Sequence, residues 1–301
     1  MAPAESRRDA VMTSSTARNG SVEIAYRVEG PTDGTPLLLI MGLGLQMLFW
    51  PETFRRLLID RGFRVASFDN RDVGLSTHLT GHGIASPKVM LTRTPGYGLP
   101  DMAEDAVAVL DGLGWLTAHV AGVSLGGMIA QTLAVRHPDR VRTLTSLSST
   151  PAPHIGRPRP RALPALLSGT AHNPEQAAAH MVRIFRTIGS PAYPLDEPWL
   201  RDVARRSFER AHDPGGVRRQ LAAIVLATDR RPLLRRLRMP ALVVHGDADP
   251  LVRLSGGLAT ARAIPGARFV VLPGMGHDLP GPLQPVIADE LAAVAASWSP
   301  G

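Results

Sequence analysis

Short apolar runs alternate with longer segments of helical periodicity along most of the chain. Residues 21–27 alternate as a half-buried strand does, and the other segments typical of strands are residues 37–40, 63–68, 118–123, 141–147, 241–244 and 268–272. Apolar positions at helical spacing follow most of them, in residues 51–61, 101–113, 129–135, 258–263 and 285–298. The run at 37–40 contains no polar residue, as a strand covered on both faces requires. The alternation predicts an α/β fold in which a mostly parallel sheet is flanked by helices.

The alternation stops between residues 151 and 239, where prolines are frequent at the start and no strand-like run occurs. Asn173 before Pro174 marks a helix start, and apolar side chains follow at helical spacing at Met181, Ile184, Phe185 and Ile188. Further helices are predicted at residues 199–209, 217–227 and 232–237. We therefore expect residues 151–239 to form a helical cap or lid, inserted into a core built from residues 21–150 and 240–301.

Residues 1–20 are predicted to be a flexible tail. They contain arginines but no continuous apolar segment, so they resemble neither a secretory signal nor a membrane span. We therefore expect a cytoplasmic protein without a membrane partner.

Composition narrows the classes of function. With 301 residues, of which 44% are hydrophobic and 20% charged, the chain is long enough for one large domain or a domain with an insertion. The absence of cysteine excludes disulfides, a thiol nucleophile and thiolate metal ligands. The net charge of +7 comes almost entirely from arginines spread over helical segments, so we predict no nucleic-acid partner.

The segment that most clearly indicates a catalytic site is Gly-Val-Ser-Leu-Gly at residues 122–126, between a predicted strand and a predicted helix. Glycines two positions before and after Ser124 leave room for a sharp, strained turn. A serine hydroxyl needs a neutral imidazole to activate it, and that imidazole needs a carboxylate to orient it. Suitable partners follow later predicted strands, at Asp247, Asp249 and His277. Open parallel sheets bind their ligands at this common edge.

With these residues in view, the chain resembles the α/β-hydrolase superfamily over nearly its whole length. The motifs that carry the resemblance are Asp-Asn-Arg-Asp-Val-Gly-Leu-Ser at 69–76, Gly-Val-Ser-Leu-Gly-Gly at 122–127, His-Gly-Asp-Ala-Asp-Pro at 245–250 and Gly-Met-Gly-His-Asp at 274–278. Within the superfamily, it looks most like the capped serine esterases that include polyketide methyl esterases of the aclacinomycin methylesterase type.

The resemblance implies a role for several residues. Ser124 is the expected nucleophile, His277 the base and Asp249 the orienting acid. Asp249 is preferred to Asp247 because the acid of the family lies three residues after the glycine that ends the strand, here Gly246, and is often followed by proline.

The resemblance also implies an oxyanion hole formed by the backbone N–H groups of Leu125 and Leu43. The family commonly has histidine where this chain has Met41. Because both donors are backbone groups, we expect the hole to be retained, with a different support for the loop that carries Leu43.

Trp50, Met128 and Phe185 are the residues we expect in the substrate pocket. The cluster of Met47, Phe49 and Trp50 either walls an acyl pocket or packs in the core. His78 and His82 have the spacing of metal ligands on a helix, but they lie in a loop-like segment without a nearby pair of carboxylates. We therefore predict neither a metal site nor a cofactor.

These residues together predict a serine hydrolase that cleaves a carboxylic ester of a small to medium apolar molecule through an acyl-enzyme. The same triad also serves cofactor-free perhydrolases, lyases and C–C bond hydrolases, and a small-molecule receptor on a hydrolase scaffold is a third interpretation. Epoxide hydrolysis and dehalogenation are disfavoured, because those relatives carry aspartate at the position of Ser124. The sequence leaves the natural substrate and the oligomeric state open.

Overall fold

The computed structural model describes residues 15–80, 96–166 and 171–299. Its centre is an eight-stranded sheet with the order β1-β2-β4-β3-β5-β6-β7-β8. The strands are β1 (Ser15–Asn19), β2 (Val22–Glu29), β3 (Thr35–Ile40), β4 (Phe63–Phe68), β5 (Ala118–Val123), β6 (Val141–Leu147), β7 (Ala241–Gly246) and β8 (Arg268–Leu272). Strands β3 to β8 run parallel, whereas β1 and β2 pair antiparallel. The predicted mostly parallel sheet is confirmed.

The described helices are α1 (Glu52–Ile59), α2 (Leu99–Gly112), α3 (Leu125–Arg136), α4 (Leu163–Leu166), α5 (Pro174–Ile188), α6 (Glu197–Arg210), α7 (Pro214–Val225), α8 (Arg231–Leu234), α9 (Leu254–Ala263) and α10 (Gln284–Ala296). None of them is both long enough and apolar enough to cross a membrane. The helices lie mainly where helical spacing predicts them.

The core has two layers, one on each face of the sheet, and β3 shows why. Leu38 and Ile40 pack in the cluster that contains α2 and α3, whereas Leu37 and Leu39 pack in the cluster that contains α1 and α10. All four side chains are fully buried. Successive side chains on a strand point to opposite faces, so an uninterrupted apolar run is needed where helices cover both faces.

Strand β1 corrects the expected tail, because residues 15–19 are part of the sheet. Ala17 is 5% exposed, and the Asn19 side-chain amide donates a hydrogen bond of 2.9 Å to Asp105 Oδ1 on α2. The segment Ser-Thr-Ala-Arg-Asn has no apolar alternation, because an edge strand that buries one side chain needs none. Residues 1–14 of the expected tail lie outside the described residues.

The chain between β6 and β7 forms α4 to α8, with no strand among its described residues. Helices α5 and α6 pack against each other, and Val182, Leu200 and Val203 are buried between the insertion and the core. We call residues 151–239 the insertion.

Candidate active site

Ser124 occupies a sharp turn between β5 and α3, with φ 57° and ψ −118°. A positive φ is unfavourable for a residue with a side chain, so neighbouring groups must hold this conformation. The Ser124 N–H donates to the Leu147 carbonyl at 2.9 Å, and the Ser149 hydroxyl donates to the Ser124 carbonyl at 2.7 Å. The end of β6 and the residues after it therefore hold the strained turn.

The glycines on either side of Ser124 are required by close backbone contacts. A Cβ on Gly122 would lie 2.1 Å from the Gly126 carbonyl oxygen, and a Cβ on Gly126 would lie 2.0 Å from the Ile40 carbonyl oxygen. No side chain fits at either distance. The end of β3 therefore packs directly against the serine turn.

His277 and Asp249 are in contact at the neighbouring strand ends. His277 Nδ1 lies 2.7 Å from Asp249 Oδ2, and the other carboxylate oxygen accepts the N–H groups of Leu251 and Val252 at 2.8 and 2.9 Å. Asp249 is 2% exposed. Since Nδ1–H donates to this fixed carboxylate, the neutral imidazole keeps Nε2 as its basic nitrogen.

Asp247, the other acid considered from the sequence, has a different environment. It is exposed, and its Oδ1 accepts the Gly274 N–H at 2.7 Å. This contact links the loop after β7 to the loop after β8, which carries His277.

The pKa of His277 reflects two opposing effects. Burial disfavours the charged imidazolium, but the charge and hydrogen bond of Asp249, together with the charge of Asp278, outweigh burial and raise the pKa of His277 above its ordinary value. An imidazole with a raised pKa is a stronger base, provided that the pH is high enough to keep it neutral.

Asp278 and Ser190 were not singled out from the sequence. The Ser190 hydroxyl donates to Asp278 and accepts the Gly276 N–H at 2.8 Å, and burial raises the pKa of Asp278. The insertion also contacts this loop through its backbone, because the His277 N–H donates to the Ile188 carbonyl at 2.8 Å. Only the adjacency of Asp278 to His277 could have drawn attention to it.

Ser124 and His277 both line a cavity of about 1060 Å³. Of the residues predicted for the site, Leu43, Trp50 and Phe185 also line it. Trp50 is 2% exposed and stacks on Phe54 with a centroid distance of 5.8 Å, so it both packs in the core and forms part of the wall. The other apolar positions predicted on α5 contribute as well, namely Met181, Ile184 and Ile188.

The expectation for Met128 was wrong. Met128 is not among the described residues that line the cavity, and its buried side chain packs in the core cluster that contains α2 and α3. It lies one turn into α3, where the helix face covers the sheet. Its nearness to Ser124 in sequence does not bring its side chain to the pocket.

The loop after β3, residues 41–46, carries Leu43, one of the two donors that the sequence predicts for an oxyanion hole, and after this prediction we call it the oxyanion loop. The N–H groups of Leu43 and Leu125 have no hydrogen-bond acceptor within the described ranges, as donors reserved for a ligand would require. The Asn70 amide donates to the Met41 carbonyl at 2.9 Å, and Asp69 Oδ1 accepts the Met47 N–H at 2.8 Å. Hydrogen bonds from the loop after β4 therefore hold the oxyanion loop at Met41, where it begins, and at Met47, directly after its end.

The sequence also raised His78 and His82 as possible metal ligands. His82 lies outside the described residues, whereas ligand atoms of His78, Asp72 and Asp213 lie within 4.8 Å of one another. The Arg219 guanidinium donates to Asp72 at 2.8 and 2.9 Å and to Asp213 at 2.5 Å. Because this cation already bridges the two carboxylates, we interpret the cluster as an ion-pair network that joins the insertion to the loop after β4.

Comparison with known proteins places the chain in a family. The family model described as the alpha/beta hydrolase fold matches residues 35–280, and the chain belongs to this family. Rhodomycin D methylesterase DnrP from Streptomyces peucetius is 30% identical over 273 residues, which cover 83% of this chain and 87% of that protein. The putative carbamate hydrolase RutD from Caulobacter sp. (strain K31) is 32% identical over 271 residues, which cover 86% and 91%.

Solved structures show the same fold. The enol-lactonase from Burkholderia xenovorans LB400 superposes with a TM-score of 0.73 at 25% identity, covering 94% of this chain and 100% of that one.

Proposed function

We propose that the chain hydrolyses a carboxylic ester through an acyl-enzyme formed on Ser124, with His277 as general base and Asp249 as orienting acid. The chain is a carboxylic ester hydrolase, in keeping with its methylesterase relatives. The observation that carries the assignment of residues is the 2.7 Å contact between His277 and Asp249 beside the cavity that contains Ser124.

In the proposed reaction, Ser124 Oγ attacks the ester carbonyl carbon while His277 Nε2 takes the hydroxyl proton. The tetrahedral oxyanion accepts hydrogen bonds from the N–H groups of Leu43 and Leu125. Collapse of this intermediate breaks the bond to the alcohol oxygen, which leaves with the proton from His277. Water activated by His277 then attacks the acyl-enzyme, and the free acid and Ser124 are released.

The proposed substrate is a small to medium apolar ester, with the insertion acting as a cap over the site. Support comes from the wall formed by α5, where half-buried Met181, Ile184 and Phe185 border the same cavity as Ser124. Apolar walls bind ligands by surface burial and distinguish them mainly by shape and size. A cytoplasmic location is part of the same proposal.

Ser124→Ala tests the nucleophile. The variant should lose turnover of an aryl ester and covalent labelling by a fluorophosphonate, while its free energy of unfolding stays within about 1 kcal/mol because only a hydroxyl is removed. Normal labelling of the alanine variant would refute the assignment. With the native chain, one labelling event per molecule followed by slow release would indicate a receptor, whereas steady turnover of aryl and methyl esters indicates the proposed hydrolase.

A further inference from the structure

Helix α7 of the insertion packs directly on the oxyanion loop. Gly44 has φ 67°, and a Cβ placed on it would lie 2.9 Å from Val217 Cγ2. Val217 and Gln220 are three residues apart and therefore lie on the same face of α7. One face of this helix thus meets the loop at Gly44.

The oxygen and the nitrogen of the Gln220 side-chain amide each form a hydrogen bond. Its Oε1 accepts the Gly44 N–H at 2.8 Å, and its Nε2 donates to the Arg71 carbonyl at 2.8 Å. Gln220 is fully buried, so water does not replace either hydrogen bond. Turning the amide over would set oxygen against the Arg71 carbonyl and NH₂ against the Gly44 N–H, so a single orientation is favoured.

This contact restrains the backbone beside Leu43. The Gly44 N–H belongs to the peptide unit that follows Leu43, and on the other side Asn70 holds the Met41 carbonyl. The Leu43 N–H therefore lies between two hydrogen-bonded points of the backbone. An oxyanion hole lowers the barrier because its donors are already in place before charge develops on the substrate.

We propose that Gln220 is a positioning residue of the oxyanion hole, which it stabilises by holding the peptide unit that follows Leu43. Gln220 is not among the described residues lining the cavity, so it acts through the loop and does not touch the substrate. Helix α7, whose Val217 and Leu221 line the cavity, then contributes to transition-state stabilisation as well as to the pocket wall. This inference rests on the proposed function of Ser124 and Leu43.

Gln220→Met tests the proposal, because methionine fills a similar volume without either hydrogen bond. Gln131→Met is the matched control. Gln131 is also fully buried, donates to Ser146 Oγ at 3.0 Å and accepts from Arg230 Nε at 3.2 Å, but within the described residues its side chain forms no hydrogen bond to the oxyanion loop. Each variant loses one buried amide with two hydrogen-bond partners. Because Gln131→Met also leaves the Nε of buried Arg230 without this acceptor, its melting temperature should fall at least as far as that of Gln220→Met.

The two variants should differ in catalysis. Loss of an oxyanion donor costs about 10²- to 10³-fold in kcat, and a misplaced donor should cost less, about 10- to 100-fold. We expect Gln220→Met to lose kcat by that factor with KM within about twofold of the native value. The inhibition constant of an aryl trifluoromethyl ketone, whose adduct with serine carries an oxyanion, should rise by a similar factor. Gln131→Met should keep its kcat and this inhibition constant.

Equal kcat values for the two variants, measured at a temperature below both melting temperatures, would overturn the proposal and reduce Gln220 to a structural contact. If Gln220→Met does not fold, Gln220→Asn and Gln131→Asn provide the same comparison. Failure of the proposed function is a separate result, because Ser124→Ala would then retain turnover.

Discussion

The two sides of the cavity are built on different physical principles. On the sheet side, Asp72 and Ser124 follow β4 and β5, line the cavity and each have a positive φ. On the insertion side, the wall consists of half-buried apolar side chains on amphipathic α5, whose outer face carries exposed residues such as Arg183 and Arg186. A strained backbone conformation fixes the position of the side chain that it carries. On a helix face, by contrast, one side chain can be substituted for another without moving the backbone.

The two sides are nevertheless joined by buried polar contacts. Arg210 on α6 pairs with Asp69, and Arg219 on α7 pairs with Asp72, so both contacts reach the loop after β4. Asp69 and Asp72 have fully buried side chains, and removal of one partner would leave a buried charge without compensation. The insertion is therefore a fixed wall at its α6 and α7 end.

After the loss of the Ser124 nucleophile, the largest expected effect on the sheet side comes from Asp249→Asn. Loss of the carboxylate that orients imidazole costs roughly 10⁴ in kcat in the well-studied serine protease triad, and we expect a similar loss here. Asp247→Asn is the matched control, since this exposed residue contacts the Gly274 backbone. Measurement of kcat for both variants decides the acid, and equal losses or the reverse order would move the role to Asp247.

The pH dependence tests the same pair in the native chain. Only neutral His277 can accept the serine proton, so kcat/KM should fall about tenfold per pH unit well below the pKa of His277. Because Asp249 raises this pKa, the midpoint should lie above the ordinary histidine value of 6.5, and it should move to lower pH in Asp249→Asn. A native midpoint at or below 6.5 would contradict the electrostatic role of Asp249.

Smaller effects are expected from the apolar wall that α5 contributes on the insertion side. Phe185→Ala and Ile184→Ala enlarge the wall formed by α5, so they should change the ranking of esters of different size by about 10- to 200-fold at most, with little effect on an acetate ester. The measurement is kcat/KM over a series of acyl lengths and alcohol sizes. Equal changes for all esters would show that these side chains serve packing and that selection lies with the sheet-side wall.

Local sequence patterns predicted much of the fold and most residues of the candidate site. Periodicity indicated seven of the eight strands, either as an uninterrupted apolar run such as 37–40 or as the alternation of a half-buried strand such as 21–27. The spacing of Asp249 from Gly246 singled out the residue that contacts His277 in the structure. Strand β1 was missed because backbone pairing to β2, with little side-chain burial, leaves no hydrophobic pattern. Met128 was misplaced because distance along the chain does not say which face of α3 points to the cavity.

The sequence by itself determined the succession of strands and helices along the chain from β2 onwards. It also determined the glycine-flanked turn at Ser124 and the order in which the candidate acid and histidine follow it. These features depend on residues close together in the chain, whose spacing is visible without a structure. Only the tertiary structure decided how the oxyanion loop is held, because Gln220 lies 176 residues from Gly44 and forms no local motif with it. The role of a buried side-chain amide depends on the donor and the acceptor that folding places beside it. The residues next to the amide in sequence do not reveal which donor and acceptor these are.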